Sequence, residues 1–257
     1  MSVKGTVYLV GAGPGRTDLL TLRGADLLRK ADVVVYDALV DADILRLAKD
    51  GAEVIYGGKR VRDHSIPQDE LNRLLISKAR EGKTVVRLKG GDPYVFGRGA
   101  EEGLELAEAG IPFEVVPGVS SFTAVPAYAG VPLTHRDMAS RITLITGHAD
   151  PETGATNIDW PHVAATPGTK VIMMGTERIG QIAATLVKHG MPPGTPIAVV
   201  RWGATARQQS VAGTLATIAD VVAKERIGPP TVAVIGDVVR LREKLNWFEK
   251  GLLWQRR

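Results

Sequence analysis

Five short apolar runs in the first 116 residues each end in a turn rich in glycine, proline, aspartate or serine, and amphipathic stretches separate them. The runs are Thr6–Val10, Val33–Tyr36, Val54–Tyr56, Val85–Leu88 and Phe113–Val116. Strands of that length alternating with helical periodicity are the pattern of βα units around a parallel sheet, which buries both faces and so reads as near-continuous apolar strands. The expected helices are Leu19–Lys30, a helix from Pro67 with a Ser65–Gln68 capping box, Gly99–Ala109, and Ser120–Ala129. In an open parallel sheet, ligands bind outside the carboxyl ends of the strands. Five such ends with loop-forming residues therefore point to one shared site.

After a polar stretch, "THRDMASRIT" from Thr134 to Thr143, a second set of elements follows. Strands are expected near Ile142–Thr146, Lys170–Met174, Ile197–Arg201, Gln208–Gly213 and Thr231–Ile235, with helices at Ile179–His189 and Thr214–Glu225. Only "WGATAR" separates the third and fourth of these strands, so a hairpin makes the second sheet mixed. The domains are read as 1–134 and 135–240. The tail, 241–257, is read as a helix with a mobile end.

The turn after the first strand, "VGAGPGRTDLLTLRG" from Val10 to Gly24, superficially matches a dinucleotide-binding turn. That fingerprint needs a third glycine three residues after the second, where Arg16 stands instead. No Gly-Lys-Ser/Thr follows, so a phosphate P-loop is excluded as well. Taken alone, this is a tight strand-to-helix turn.

Composition narrows the chemistry. With no cysteine among 257 residues, disulfides, thiolate metal sites and a cysteine nucleophile are excluded, and a reducing cytoplasm is the simplest home. His64 and His135 have no partner spacing that suggests a metal site. The net charge is +4, but basic residues are scattered and aromatics are only 5%, so no nucleic-acid stacking platform is visible. A small polyanionic substrate accounts for the charge equally well. The apolar stretches are too short to span a bilayer.

Two long segments, "VYLVGAGPGRTDLLTLRGADLLRKADVVVYDALV" and "VVRLKGGDPYVFGRGAEEGLELAEAGIPFEVVPGVSSFTAVPAYAGVPLTHRDMASRITLITGH", closely resemble the signature regions of the uroporphyrinogen-III C-methyltransferases, tetrapyrrole methylases that use S-adenosylmethionine. "GGKRVRDHSIPQDELN" and "RWGATARQQSVAGTL" extend the similarity. The resemblance implies two α/β domains with the cofactor in the cleft between them, usually in a homodimer, and a reaction that places two methyl groups, at C2 and C7 of uroporphyrinogen III, to give precorrin-2. It implies no partner beyond that: no nucleic acid and no membrane. Nor does it imply a metal.

Residue by residue, the resemblance places Pro14 against the cofactor. Gly90, Gly91, Asp92 and Val95 take the methionine or ribose part, and Ser120 and Ser121 continue the wall. Met174 and Gly203 take the adenine side, although a methionine at a strand end also reads as core. Asp37 matches the position assigned proton acceptor. It ends the run Val33–Tyr36, and apolar flanks raise a carboxylate's pKa, which suits a base; turn-capping is the alternative. Lys59 matches the proton donor and otherwise reads as a solvated lysine. Arg98 and Arg136 are candidates to grip the substrate's carboxylates, with Glu101 orienting one of them or meeting a pyrrole N–H; ordinary salt bridges are the alternative. Lys59, Arg60 and Arg62 add to the positive field.

One departure stands out: the turn commonly reads "GPGD" in that family, and here Arg16 replaces the acid, leaving the capping of the first helix open. The length is used up by the methylase, so a stand-alone enzyme is expected rather than a multifunctional sirohaem synthase. Competing readings are a methylase of another precorrin carbon, a relative acting on ribosomal RNA or a translation factor, and a non-catalytic carrier.

Overall fold

The computed structural model describes residues 5–58, 66–148 and 158–251. The chain divides into two compact units, with the boundary between Ser121 and Phe122.

The first unit is a five-stranded parallel sheet. Its strands are β1 (Thr6–Gly11), β2 (Val33–Tyr36), β3 (Glu53–Tyr56), β4 (Thr84–Lys89) and β5 (Phe113–Val116), in the order β3-β2-β4-β1-β5. Between them run α1 (Leu22–Lys30), α2 (Ala42–Leu45), α3 (Gln68–Arg80) and α4 (Gly99–Glu108). The alternation of side chains along each strand sends Val7, Leu9, Val35 and Val85 to one face, where they pack with Leu71, Leu75 and Leu106 from α3 and α4. Val10, Val34, Val86 and Leu88 go to the other face, against Leu27, Leu28 and Ile44 of α1 and α2. Each fully buried Leu or Val contributes about 1.5–3 kcal/mol, so both faces are held by a full apolar layer.

The helix α5 (Ser121–Tyr128) starts on the boundary residue, and the second unit goes on with β6 (Ile142–Thr146), α6 (Trp160–Ala165), β7 (Thr169–Met173), α7 (Ile179–Lys188), β8 (Pro196–Arg201), β9 (Gln209–Thr214), α8 (Ile218–Lys224), β10 (Thr231–Ile235) and α9 (Arg242–Leu245). The order is β6-β7-β10-β8-β9. β6 and β7 are parallel, β10 runs antiparallel to both β7 and β8, and β8–β9 is the expected hairpin. The sheet is therefore mixed, and β6, β7 and β8 all end on the same side. Ile172, Ile197, Val199 and Ile235 pack with Ile182, Leu186 and Ile218 on one face. Val171, Val200, Val232 and Val234 pack with Val125, Ala129 and Val238 on the other.

Several boundaries differ from those read in the sequence. Leu19–Lys30 is not one helix: Thr17–Leu19 forms a single 3-10 turn, Leu20 and Thr21 are extended, and α1 starts at Leu22. The Thr21 hydroxyl accepts the Gly24 N–H at 3.1 Å, which satisfies an end donor of that helix and answers how it is capped. Thr214 belongs to β9, and α8 begins only at Ile218, because Thr214 completes the pairing with Pro196. The N-cap of α3 is Pro67, with no side-chain capping bond, and Ser65 lies outside the described residues. Of the tail helix, the described residues hold only the short α9 after a 3-10 segment, Asp237–Leu241. The sequence reading missed α2 and α6, which are too short to show a periodicity. Among the described residues no helix is long and apolar enough to cross a membrane.

Candidate functional site

In the first unit, the loops after β1, β4 and β5 interlock backbone against backbone. The Ala12 N–H reaches the Lys89 carbonyl at 2.7 Å, and Gly13 and Gly91 exchange N–H···O bonds of 3.1 and 2.8 Å. A Cβ on Gly11 would stand 2.5 Å from the Gly118 nitrogen, and one on Gly118 would stand 2.2 Å from the Gly91 carbonyl oxygen. Only glycine permits that approach. Gly11 of "GAGPG" and Gly118 of "PGVSS" are therefore demanded by the packing of three strand ends on each other. Gly90 and Gly91 differ: a Cβ there would find nothing closer than 3.3 and 3.6 Å respectively. Neither position is closed by backbone at the distances found for Gly11 and Gly118.

This arrangement brings Gly90, Gly91, Asp92, Ser120 and Ser121 together, with half-buried Pro14 on the adjoining loop and Val95 just beyond Asp92. The Asp92 carboxylate is already engaged. One oxygen accepts the Tyr94 N–H at 2.8 Å and the other accepts the Gly118 N–H at 3.1 Å, so the side chain ties the β4 loop to the β5 loop. Arg16, in place of the usual acid, pairs with Asp18, and the guanidinium holds that carboxyl below its ordinary range.

Asp37 follows β2 at the same end of the sheet. Its backbone N–H donates to the Leu88 carbonyl at 3.2 Å. Its surroundings are not the apolar ones the sequence reading assumed. Arg87 Nη2 lies 2.5 Å from one carboxylate oxygen and Lys89 Nζ lies 3.9 Å from the other. Both cations are 3% exposed, whereas Asp37 is 30% exposed. Beneath them Glu102, with no exposed surface, accepts from Arg87 Nε at 3.1 Å and Lys89 Nζ at 2.8 Å through one oxygen. Gln68 Nε2 approaches the same oxygen at 3.3 Å and also donates to Asn72 at 3.0 Å. Glu102 sits in the first turn of α4, where the helix dipole favours a carboxylate. Burial pushes the Lys89 ammonium below its usual pKa, and the repulsion of Arg87 adds to this, against the pull of Glu102 and Asp37. None of Arg87, Lys89 and Glu102 is singled out by the sequence as a site residue, since nothing in "VVRLK" or "GAEEG" by itself marks a charge as buried.

Arg98 and Glu101 form an exposed pair at the start of α4, with Nη2 and Oε2 2.6 Å apart. Their hydrogen bond raises the arginine's pKa and lowers the glutamate's. Arg136 is exposed in the second unit. Lys59 lies outside the described residues, as do Arg60 and Arg62.

In the second unit the ends of β7 and β8 carry strained turns. Met174, Trp202 and Ala204 adopt left-handed backbone conformations (φ of 56°, 48° and 63°), uncommon for residues other than glycine. Backbone strain of this kind persists at ligand-binding positions when the surroundings enforce it. Here Thr205 Oγ1 donates to the Trp202 carbonyl at 2.6 Å, Gln208 Oε1 accepts the Ala204 N–H at 2.8 Å, and the Arg207 guanidinium lies 3.8 Å from the Trp202 ring centroid. Gly203 is buried, and a Cβ on it would fall 2.4 Å from a Val125 methyl. Met174 is 48% exposed, so it is not the core residue that the sequence left as an alternative.

Comparison with known proteins gives a consistent result. The family model for Tetrapyrrole (Corrin/Porphyrin) Methylases matches residues 6–219. A siroheme synthase of Pseudomonas putida is 51% identical over 245 residues, which is 95% of this chain and 52% of that protein. The chain thus spans about half the length of the curated relatives it matches. A uroporphyrin-III C-methyltransferase of Thermus thermophilus, solved with S-adenosyl homocysteine, is 43% identical, covers 92% of this chain and all of its own, and has a TM-score of 0.78. A cobalt precorrin-4 methyltransferase of cobalamin biosynthesis is 28% identical, covers 91% of this chain and 95% of its own, and has a TM-score of 0.81.

Proposed function

We propose that this chain, which belongs to the tetrapyrrole (corrin/porphyrin) methylase family, is an S-adenosylmethionine-dependent C-methyltransferase that converts uroporphyrinogen III to precorrin-2 by methylation at C2 and C7. The observation that carries the reading is the first unit's strand ends: three glycine loops locked on one another beside a partly open carboxylate, Asp37. The relative solved with S-adenosyl homocysteine supports the cofactor.

The residues present fit such a cofactor. Gly90 and Gly91 keep the loop after β4 free of side chains of its own, and the strained Met174 and Trp202–Ala204 turns supply a second set of held positions. Pro14, Val95, Ser120 and Ser121 would join the glycines, with Met174 and Gly203 from the second unit. When bound, the cofactor supplies an electrophilic methyl carbon on its sulfonium sulfur. The protein's work is then mainly alignment, which by itself accounts for a large share of rate acceleration. A methylated pyrrole ring carries positive charge until a meso proton leaves, and Asp37 is the base that takes it. Arg98 and Arg136 grip carboxylates of the substrate, Glu101 orients Arg98, and Lys59 acts as proton donor. The reading includes a cytoplasmic homodimer whose product feeds sirohaem, cobalamin or haem d1 synthesis.

The test is anaerobic incubation with S-adenosylmethionine and enzymatically made uroporphyrinogen III, followed by mass spectrometry. Two added methyl groups are expected, with a loss of about 100-fold or more in kcat for Asp37→Asn. Cofactor binding without methylation overturns the substrate assignment and directs the search to another precorrin or a macromolecule.

A further inference from the structure

β4 is the middle strand of the first sheet, paired on both sides, and its covered face is apolar at Val85. Two and four residues further along that face stand Arg87 and Lys89, both buried. Charges placed there carry a large desolvation cost, which pairing only roughly offsets, and apolar residues of similar volume commonly serve stability as well or better. Packing therefore gives no reason for the pair. What apolar residues cannot do is hold a carboxylate.

The geometry of the cluster fits that task. Two cations meet two carboxylates, one fully buried and one partly open. Glu102 takes both cations on a single oxygen, and its other oxygen has no hydrogen-bond partner among the described residues. Arg87 uses Nε for Glu102 and Nη2 for Asp37, so the rigid fork of one guanidinium transmits the position of the buried glutamate to the open aspartate. Arg87 Nη1 has no partner among the described residues, so these two bonds alone set the fork. Lys89 spans the same two carboxylates at 2.8 and 3.9 Å. Gln68 and Asn72 on α3 close the cluster from the side.

We propose that Arg87, Lys89 and Glu102 are positioning residues that hold the Asp37 carboxylate in the orientation from which it removes the substrate proton. This deepens the functional reading above and rests on it. Among the described residues, the charged groups facing Asp37 are Arg87 and Lys89 from β4, with Glu102 from α4 behind them. The depressed Lys89 pKa agrees with a lysine held in the cluster at the expense of its hydration.

Single removal of a buried charge leaves its partner uncompensated and risks misfolding. The informative variant is therefore Arg87→Met/Glu102→Gln, which removes one cation and one anion together, alongside Arg87→Lys. The double variant is expected to keep a melting temperature close to that of the wild type and an unchanged affinity for S-adenosylhomocysteine. Its kcat falls about tenfold or more while its KM for the tetrapyrrole stays near that of the wild type, because the base is misplaced and the substrate still binds. Arg87→Lys, which keeps the charge but not the fork, recovers part of kcat. A folded double variant with kcat within about twofold of wild type overturns the proposal. So does a joint fall of kcat and of affinity for substrate and cofactor, which is general damage. If the wild type does not methylate uroporphyrinogen, the functional reading fails by itself. The network is then judged on the 13C chemical shift of the Asp37 carboxyl at pH 7: a changed shift in the double variant supports the hold on Asp37, and an unchanged one overturns it.

Discussion

The two units finish the carboxyl ends of their strands by different means. In the first, backbone rests on backbone: Gly11 and Gly118 pack on each other and on the Gly91 carbonyl too closely for a side chain on either, and the same unit holds the charge cluster of β4 and α4. In the second, the end of β8 is a left-handed turn held by side chains, with Thr205, Arg207 and Gln208 gripping Trp202–Ala204, and Gly203 against Val125. Gly147 against Gly175 repeats the first unit's device on a smaller scale. A backbone–backbone contact has nothing that can yield, whereas a backbone–side-chain contact can be relieved by trimming the side chain. The first unit's loops should thus be brittle and the second unit's adjustable.

Gly118→Ala is the most severe break, because its methyl meets the Gly91 carbonyl at 2.2 Å. It should cost about 3 kcal/mol or more, a drop of about 10 °C in melting temperature, and no single partner substitution should restore it. Gly203→Ala should cost about 1–3 kcal/mol, since its obstacle is the Val125 side chain. Combining it with Val125→Ala should recover part of that loss, and thermal melts of the four species of the cycle measure the coupling. Equal cost without recovery would erase the distinction between the units.

A smaller effect concerns Glu249, which joins the chain's end to the same turn through Gln208. Burial raises its pKa, but hydrogen bonds from Ser210, Gln208 and Asn246, with the charge of Arg242, outweigh this and hold it below its ordinary value. A carboxyl with a lowered folded pKa contributes stability above its unfolded pKa and loses it as pH falls through the folded one. Glu249→Gln should therefore cost about 1–2 kcal/mol at pH 7, and the gap in melting temperature should close between about pH 4.5 and lower pH. The smallest effect is Met174→Gly. Relief of the left-handed strain, less glycine's entropy, should raise stability by about 0.5 kcal/mol. Cofactor affinity, followed by calorimetry, should fall as the exposed side chain is lost.

Much of the fold is legible in the residues. Val33–Tyr36, Phe113–Val116, Ile142–Thr146 and Thr231–Ile235 begin and end where the apolar runs do, because turn-forming residues bound them on both sides. "WGATAR" between two apolar runs reads as a hairpin connection and is one. The reading faltered where a neighbour decides the outcome. Leu19 and Leu20 continue the helical periodicity of α1, yet the Thr21 hydroxyl caps Gly24 and fixes the start beyond them. Thr214 suits a helix start locally, but pairing with Pro196 draws it into β9.

The site divides in the same way. The run of strand-end loops, the glycines among them and the lone aspartate after β2 are local facts, and the sequence alone determined them through turn chemistry and period-two patterning. That Gly11, Gly91 and Gly118 touch, and that Arg87 and Lys89 lie under two helices instead of in water, was decided only by the order β3-β2-β4-β1-β5. A strand written Val-Val-Arg-Leu-Lys looks half-solvated until its place in the middle of the sheet is known. Burial is a property of the assembled layers, and charges acquire their partners, and with them a role, only when that assembly brings Glu102 and Asp37 to neighbouring nitrogens of one guanidinium.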